Sequence, residues 1–144
     1  MVDMTLRSSA AAADPAEIDS PVFNFWASWC VPCRRETAAL EDFYQRWHSR
    51  GVEPVGISFS DDPRAALAFR AQYGGTWPLV ADPDLATSIY YGVVGVPETF
   101  VVDGSGVVMA KLVGAVGPNT LDDVIQRITG GATVTARNDD YRTR

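Results

Sequence analysis

Cysteine is nearly absent from this chain, with two residues in 144. That is too few for a disulfide-stapled scaffold and too few for a zinc site built within one chain. Histidine is scarcer still: the single one, His48, lies well down a helical pattern and reads as a solvated helix residue. No run approaches the roughly 18 apolar residues needed to cross a bilayer. Positive charge is in deficit, since 12 Lys and Arg stand against 18 Asp and Glu for a net charge of −6. Only Lys111 among the basic residues is lysine. No basic stripe appears, so a nucleic-acid partner is not expected. The first twenty residues include Ala10 to Ala13, but Asp3, Asp14, Pro15, Glu17 and Asp19 break any signal-peptide core. Any export signal or membrane anchor is expected outside this chain.

What is present suits one globular domain: 47% hydrophobic and 21% charged residues, in a length that supports a core of its own. The two cysteines stand two residues apart in Phe25-Trp26-Ala27-Ser28-Trp29-Cys30-Val31-Pro32-Cys33-Arg34-Arg35-Glu36. A strand-like run precedes them, apolar except at Asn24, and a helical pattern follows. The free N–H groups and dipole of a helix start favour an anion, so Cys30 is the candidate nucleophilic thiolate. Cys33 lies one turn on, within disulfide reach, and is the candidate resolving thiol. A static disulfide, inert thiols or an intermolecular metal site are the competing readings. Pro32 stiffens the turn between the cysteines beside the substrate-binding surface and, having no N–H, tunes thiolate stability and redox poise, though it suits the first helical turn in any case.

Patterning along the chain predicts an α/β protein. Met4 to Arg7 reads as a short edge strand within an N-terminal linker, 1–20. Val22–Trp26 is a buried strand. Helix 31–50 presents Leu40, Phe43, Tyr44 and Trp47 on one face and ends at Gly51. Strand 52–59 follows. Ser60-Asp61-Asp62-Pro63 is a helix start with a capping acid, leading into helix 64–73 with Ala66, Phe69 and Tyr73 inward. A brief strand, 78–81, and a short helix, 85–91, come next, with Asp82 or Asp84 near its start. Strands 99–102 and 107–113 form a hairpin around Asp103-Gly104-Ser105-Gly106. Helix 119–129 carries Leu121, Val124, Ile125 and Ile128 inward. Residues 130–144 read as a flexible polar tail, leaving 21–129 as the domain.

This order, with Trp-Cys-x-Pro-Cys at the first strand-to-helix turn, resembles the thioredoxin fold. The resemblance implies three α/β/α layers around a central mixed sheet, with a helix–strand insertion near residues 61–81. The cysteine stretch and Gly95-Val96-Pro97-Glu98-Thr99-Phe100 are similar to the TlpA, ResA and CcmG (DsbE) group of extracytoplasmic thiol-disulfide oxidoreductases. ResA and CcmG serve cytochrome c maturation. The resemblance implies a reductant that needs no cofactor or metal and acts on a protein disulfide, such as that of apocytochrome c or a heme-handling protein. A membrane thiol donor of the DsbD or CcdA type would recharge it. We expect a monomer outside the cytoplasm.

Roles for single residues follow with their alternatives. Glu36 lies one turn beyond Cys33 and can exchange the resolving thiol's proton, or it is a solvated first-turn acid. The residues alone leave both open, and the resemblance implies the first. Pro97 would ordinarily be trans. The resemblance implies cis, with the Val96 backbone offered to an extended substrate. Glu98 shapes the groove beside the cysteines in CcmG-like proteins; otherwise it is a strand-start charge. Trp29 is a partly exposed substrate contact, Trp26 is core, and Trp77 is unassigned. Thioredoxins carry a buried aspartate where Asn24 stands, so a carboxylate relay must come from Glu36 or Glu98. Rival functions are a TlpA-like general thiol reductase, a peroxiredoxin-like peroxidase and a Sco-like copper carrier. Ala27 replaces the peroxidase threonine, and the Sco-type Cys-x-x-x-Cys spacing is missing.

Overall fold

A computed structural model describes residues 2–3, 20–129 and 134–137. The strands are β1 (Val2–Asp3), β2 (Ser20–Trp26), β3 (Val52–Ser58), β4 (Leu79–Ala81), β5 (Glu98–Val102), β6 (Val108–Val113) and β7 (Val134–Arg137). The helices are α1 (Val31–Trp47), α2 (Pro63–Tyr73), α3 (Ala86–Tyr90) and α4 (Thr120–Thr129), with a 3-10 turn, His48–Arg50, after α1.

The strands form one sheet in the order β1-β4-β3-β2-β5-β6-β7. β2, β3 and β4 run parallel, because a helix separates each pair in sequence. β5 returns to pair antiparallel with β2, and the β5–β6 hairpin extends that side. Stepping β2 to β3 to β4 in one direction through crossovers of one hand places α1 and α2 on one face. α4 packs there too, so Leu40, Phe43, Trp47, Ala66, Phe69, Leu121, Val124 and Ile125 share a core with Val22, Trp26 and Val101. The other face holds Phe25, Ile57, Val80, Phe100 and Val102, covered by Tyr91 and Val93 beyond α3. Phe25 and Phe100 meet edge-on at 5.6 Å, a geometry aromatic quadrupoles favour.

Helix boundaries follow local chemistry. Gly51 takes the left-handed φ of 81° that ends the 3-10 turn. Asp62 caps α2 by accepting the Arg64 and Ala65 N–H groups at 2.7 and 3.3 Å. Asp82, not Asp84, serves α3, accepting from the Ser88 and Thr87 N–H groups and the Ser88 hydroxyl. Gly56 allows a close approach: a Cβ there would lie 2.4 Å from Leu79 Cδ2.

Two terminal readings differ from the structure or fall outside it. The edge strand read at Met4 to Arg7 lies outside the described residues, and the pairing at that edge comes from Val2–Asp3 against Ala81 and Val80. Within the stretch expected to be a tail, Val134–Arg137 pairs parallel with Ala110–Val113. Overall polarity suggested a tail, but Val134-Thr135 favours strand and the open β6 edge supplies partners.

Candidate active site

The cysteine turn stands at the end of β2, where the chain enters α1. Cys30 is the N-cap residue, with extended φ and ψ of −90° and 111°. The Cys33 N–H donates to Cys30 Sγ at 3.2 Å. This is a helix-start N–H aimed at the sulfur, the interaction that stabilises a thiolate when the pair is reduced. Cys30 and Cys33 are joined by a disulfide across 5.3 Å between Cα atoms. Both are buried, while Trp29 and Val31 beside them are each 56% exposed. Pro32 occupies the first turn of α1, half-buried.

Glu36 is not a solvated first-turn acid: it is 1% exposed, on the inner face of α1. Asn24 Nδ2 donates to its Oε1 at 2.9 Å, and the Val116 N–H donates to its Oε2 at 3.1 Å. Asn24 also donates to Thr99 Oγ1 at 3.1 Å from its pairing position on β2 opposite β5. Burial raises the Glu36 pKa from 4.5 to about 8, against the lowering effect of those two donors. Asn24, which cannot itself carry a proton, therefore holds the carboxyl that can.

Val96 and Pro97 are joined by a cis peptide bond, and Val96 packs against the cluster that contains both cysteines. Glu98 points elsewhere. Neighbouring strand residues face opposite ways: Thr99 faces Asn24 and the Glu36 side, and Glu98 lies with Phe25 on the other face. The two candidates for a carboxylate relay are thus separated by the sheet. Glu98 is 2% exposed. Its Oε2 accepts the Val94 N–H at 3.1 Å, and its Oε1 lies 3.3 Å from Lys111 Nζ. It ties down the base of the loop that carries Val96 and Pro97.

Sequence reasoning passed over four contributors. Lys111, the lone lysine, stood out by composition alone. Thr99 and Val116 carried no signal for the site and Asp61 read only as part of a helix start, since each acts across 33 to 80 residues of chain. Trp26 and Trp77 are both buried in the core, as expected for the first. His48 is exposed, stacked on Tyr44 at 4.7 Å, and far along the chain from the cysteines.

Comparison with known proteins decides the family. Residues 12–111, most of the described domain, match the AhpC/TSA family. The chain belongs to the AhpC/TSA family. Within it, the chain is 42% identical over 106 residues to the thiol:disulfide interchange protein HelX of Rhodobacter capsulatus, covering 73% of this chain and 56% of that protein. It is 31% identical over 110 residues to the thiol-disulfide oxidoreductase ResA of Bacillus subtilis, covering 76% and 62%. The chain thus spans under two thirds of the length of these relatives. The crystal structure of a thiol:disulfide interchange protein of the thioredoxin family from Chlorobium tepidum superposes with a TM-score of 0.68 at 26% identity, covering 83% of each chain. The fold is thioredoxin-like, as the motif order implied. No helix among the described residues is long and apolar enough to cross a membrane.

Proposed function

We propose that this domain is a thiol-disulfide oxidoreductase that works outside the cytoplasm as a reductant in cytochrome c maturation. The observation that carries the chemistry is the Cys30–Cys33 pair at the start of α1, with the buried Glu36 carboxyl one turn below it. In the reduced protein the Cys30 thiolate attacks a substrate disulfide. A Cys30–substrate disulfide forms and one substrate thiolate leaves. Cys33 then loses its proton and attacks Cys30 Sγ, which releases the second substrate thiolate and closes the 30–33 disulfide. Two electrons pass to the substrate; Cys33 supplies one of the two protons, and solvent, which took up the Cys30 proton when the thiolate formed, supplies the other. Glu36, titrating near 8, lies close to the ordinary thiol range of about 8.5. A carboxyl that titrates so near the working pH can both take and return a proton beside Cys33, the condition under which acid–base catalysis is most effective.

The substrate is a protein disulfide in an extended segment. Exposed Trp29 and Val31 border Cys30, and the Val96 backbone offers main-chain pairing by strand addition. Glu98 and Lys111 keep the Val94–Pro97 loop in place for that pairing. Apocytochrome c or a heme-handling protein is the favoured substrate, supported by the likeness to ResA and by Gly95-Val96-Pro97-Glu98-Thr99-Phe100. A membrane thiol donor of the DsbD or CcdA type returns the electrons to the monomeric domain.

Trapping tests this reading. Cys33→Ala is expected to accumulate a mixed disulfide between Cys30 and apocytochrome c or a heme-handling protein, and Cys30→Ser to lose reduction of a model disulfide. A Cys30→Ser protein that still reduces it sinks the chemistry. A broad set of trapped proteins favours the general reductase, and rapid peroxide consumption by the unaltered chain favours a peroxidase.

A further inference from the structure

The acid pair Asp61-Asp62 precedes α2, and the two side chains do different things. Asp62 is spent on the helix cap. Asp61 reaches across to the cysteine turn. Its Oδ2 accepts the Ser28 N–H at 2.6 Å, and its Oδ1 accepts the Ser28 hydroxyl at 2.8 Å and the Asp62 N–H at 2.9 Å. Ser60, beside it, adopts a left-handed φ of 47° that a serine seldom takes. The Ser60 carbonyl accepts the Trp29 indole N–H at 3.1 Å. Three contacts from one loop thus hold Ser28 and Trp29, the two residues before Cys30. The turn itself is short, with the Cys30 N–H donating to the Ala27 carbonyl at 3.2 Å. No lysine, arginine or histidine among the described residues lies within ion-pair distance of Asp61. The half-buried carboxylate is met only by neutral N–H and O–H donors, so it keeps its full formal charge, and it sits against the backbone of the residue two before the nucleophile.

We propose that Asp61 is a positioning residue for Cys30, fixing the Ser28–Trp29 segment and holding a negative charge against the cysteine turn that keeps the Cys30–Cys33 pair reducing. The physical argument is a difference between redox states. The disulfide carries no charge, whereas the reduced pair places a thiolate on Cys30. A fixed anion nearby disfavours the thiolate and so the reduced state. A destabilised reduced state means a lower reduction potential, the converse of an oxidant whose dithiol form is stabilised. Asp61 thereby opposes the Cys33 N–H and the α1 dipole, which both favour the thiolate.

The test is equilibration with glutathione, in which the disulfide and two glutathione thiols exchange with the dithiol and glutathione disulfide. The inference rests on the dithiol exchange proposed above, and the two fail differently. A parent protein whose Cys30–Cys33 disulfide exchanges with neither glutathione nor dithiothreitol overturns both. If the parent equilibrates, Asp61→Asn and Asp61→Ala are expected to move the constant about three- to tenfold toward the dithiol, a rise of about 15–30 mV for a two-electron couple. Cys30 thiolate absorbance should appear at lower pH in both variants, and Asp61→Glu should stay within about twofold of the parent. The inference alone is overturned by any of three results: constants for Asp61→Asn and Asp61→Ala unchanged within twofold, a lower melting temperature with an unchanged constant, or an Asp61→Glu protein as oxidising as Asp61→Ala. Asp61→Asn keeps the side-chain shape and decides the matter if Asp61→Ala does not fold.

Discussion

Glu36 and Glu98 are both buried carboxylates, and what each meets separates their roles. Glu36 has only neutral donors, the Asn24 amide and the Val116 N–H, so desolvation dominates and its proton is held up to about 8. Glu98 has the Lys111 ammonium at 3.3 Å and a backbone N–H to hold. Glu36→Gln keeps the shape and the burial but removes the titrating group. We expect resolution of the mixed disulfide by Cys33 to slow by about 10²-fold at pH 7, the low end for loss of a positioned acid–base group. The inflection near pH 8 in its rate profile should vanish. Stopped-flow release of substrate thiol across pH 6 to 9 reads both, and an unchanged profile would remove Glu36 from the proton path. The sequence placed Glu36 beside Cys33 through the i, i+3 spacing alone. It could not show burial, because the groups that cover this carboxyl lie 12 and 80 residues away in the chain.

Among the elements, α1 was the most legible. Of the face read as Leu40, Phe43, Tyr44 and Trp47, the structure buries all but Tyr44, which is half-buried at its edge. Its attachment to α4 was not legible. Asp122 on α4 accepts two bonds from the Arg46 guanidinium at 3.0 and 2.6 Å and one from the Trp47 indole N–H at 2.6 Å. Three donors meet one carboxylate across about 75 positions, and no local pattern reports such a meeting. Asp122→Ala would leave the half-buried indole N–H without its acceptor, beyond the lost ion pair. Since Arg46 is largely exposed, most of the expected cost of about 1–2 kcal/mol comes from the indole. Urea denaturation checks it, and a change below about 0.3 kcal/mol would mean water replaces the carboxylate freely. The β5–β6 hairpin was legible for a different reason. Asp103 accepts from the Ser105 and Val107 N–H groups and Gly106 takes a φ of 88°, all within five residues.

For the molecule as a whole, the Glu36 carboxyl couples folding to pH. Its folded pKa of about 8 lies above the ordinary 4.5, so between those values the folded state keeps a proton that the unfolded chain has lost. Stability from this group is complete below about pH 4.5 and declines as pH rises toward 8, by at most about 1.4 kcal/mol per pH unit. The acids held below their ordinary range, Asp82 and Asp122 among them, act in the opposite sense and only at lower pH. Urea midpoints measured from pH 5 to 8 should therefore fall with pH in the parent and stay level in Glu36→Gln; a level parent would overturn this account. The order of elements from β2 to α4 and the cysteine pair at the start of α1 were legible in the sequence, because periodicity, caps and a two-residue spacing are local; the three layers came only with the resemblance to the thioredoxin fold. Which acid is buried, which face of the sheet each carboxylate takes, and which distant loop grips the residues before Cys30 were decided only by tertiary structure. Those properties depend on what the sheet brings together across the chain, and on water being excluded where it does so.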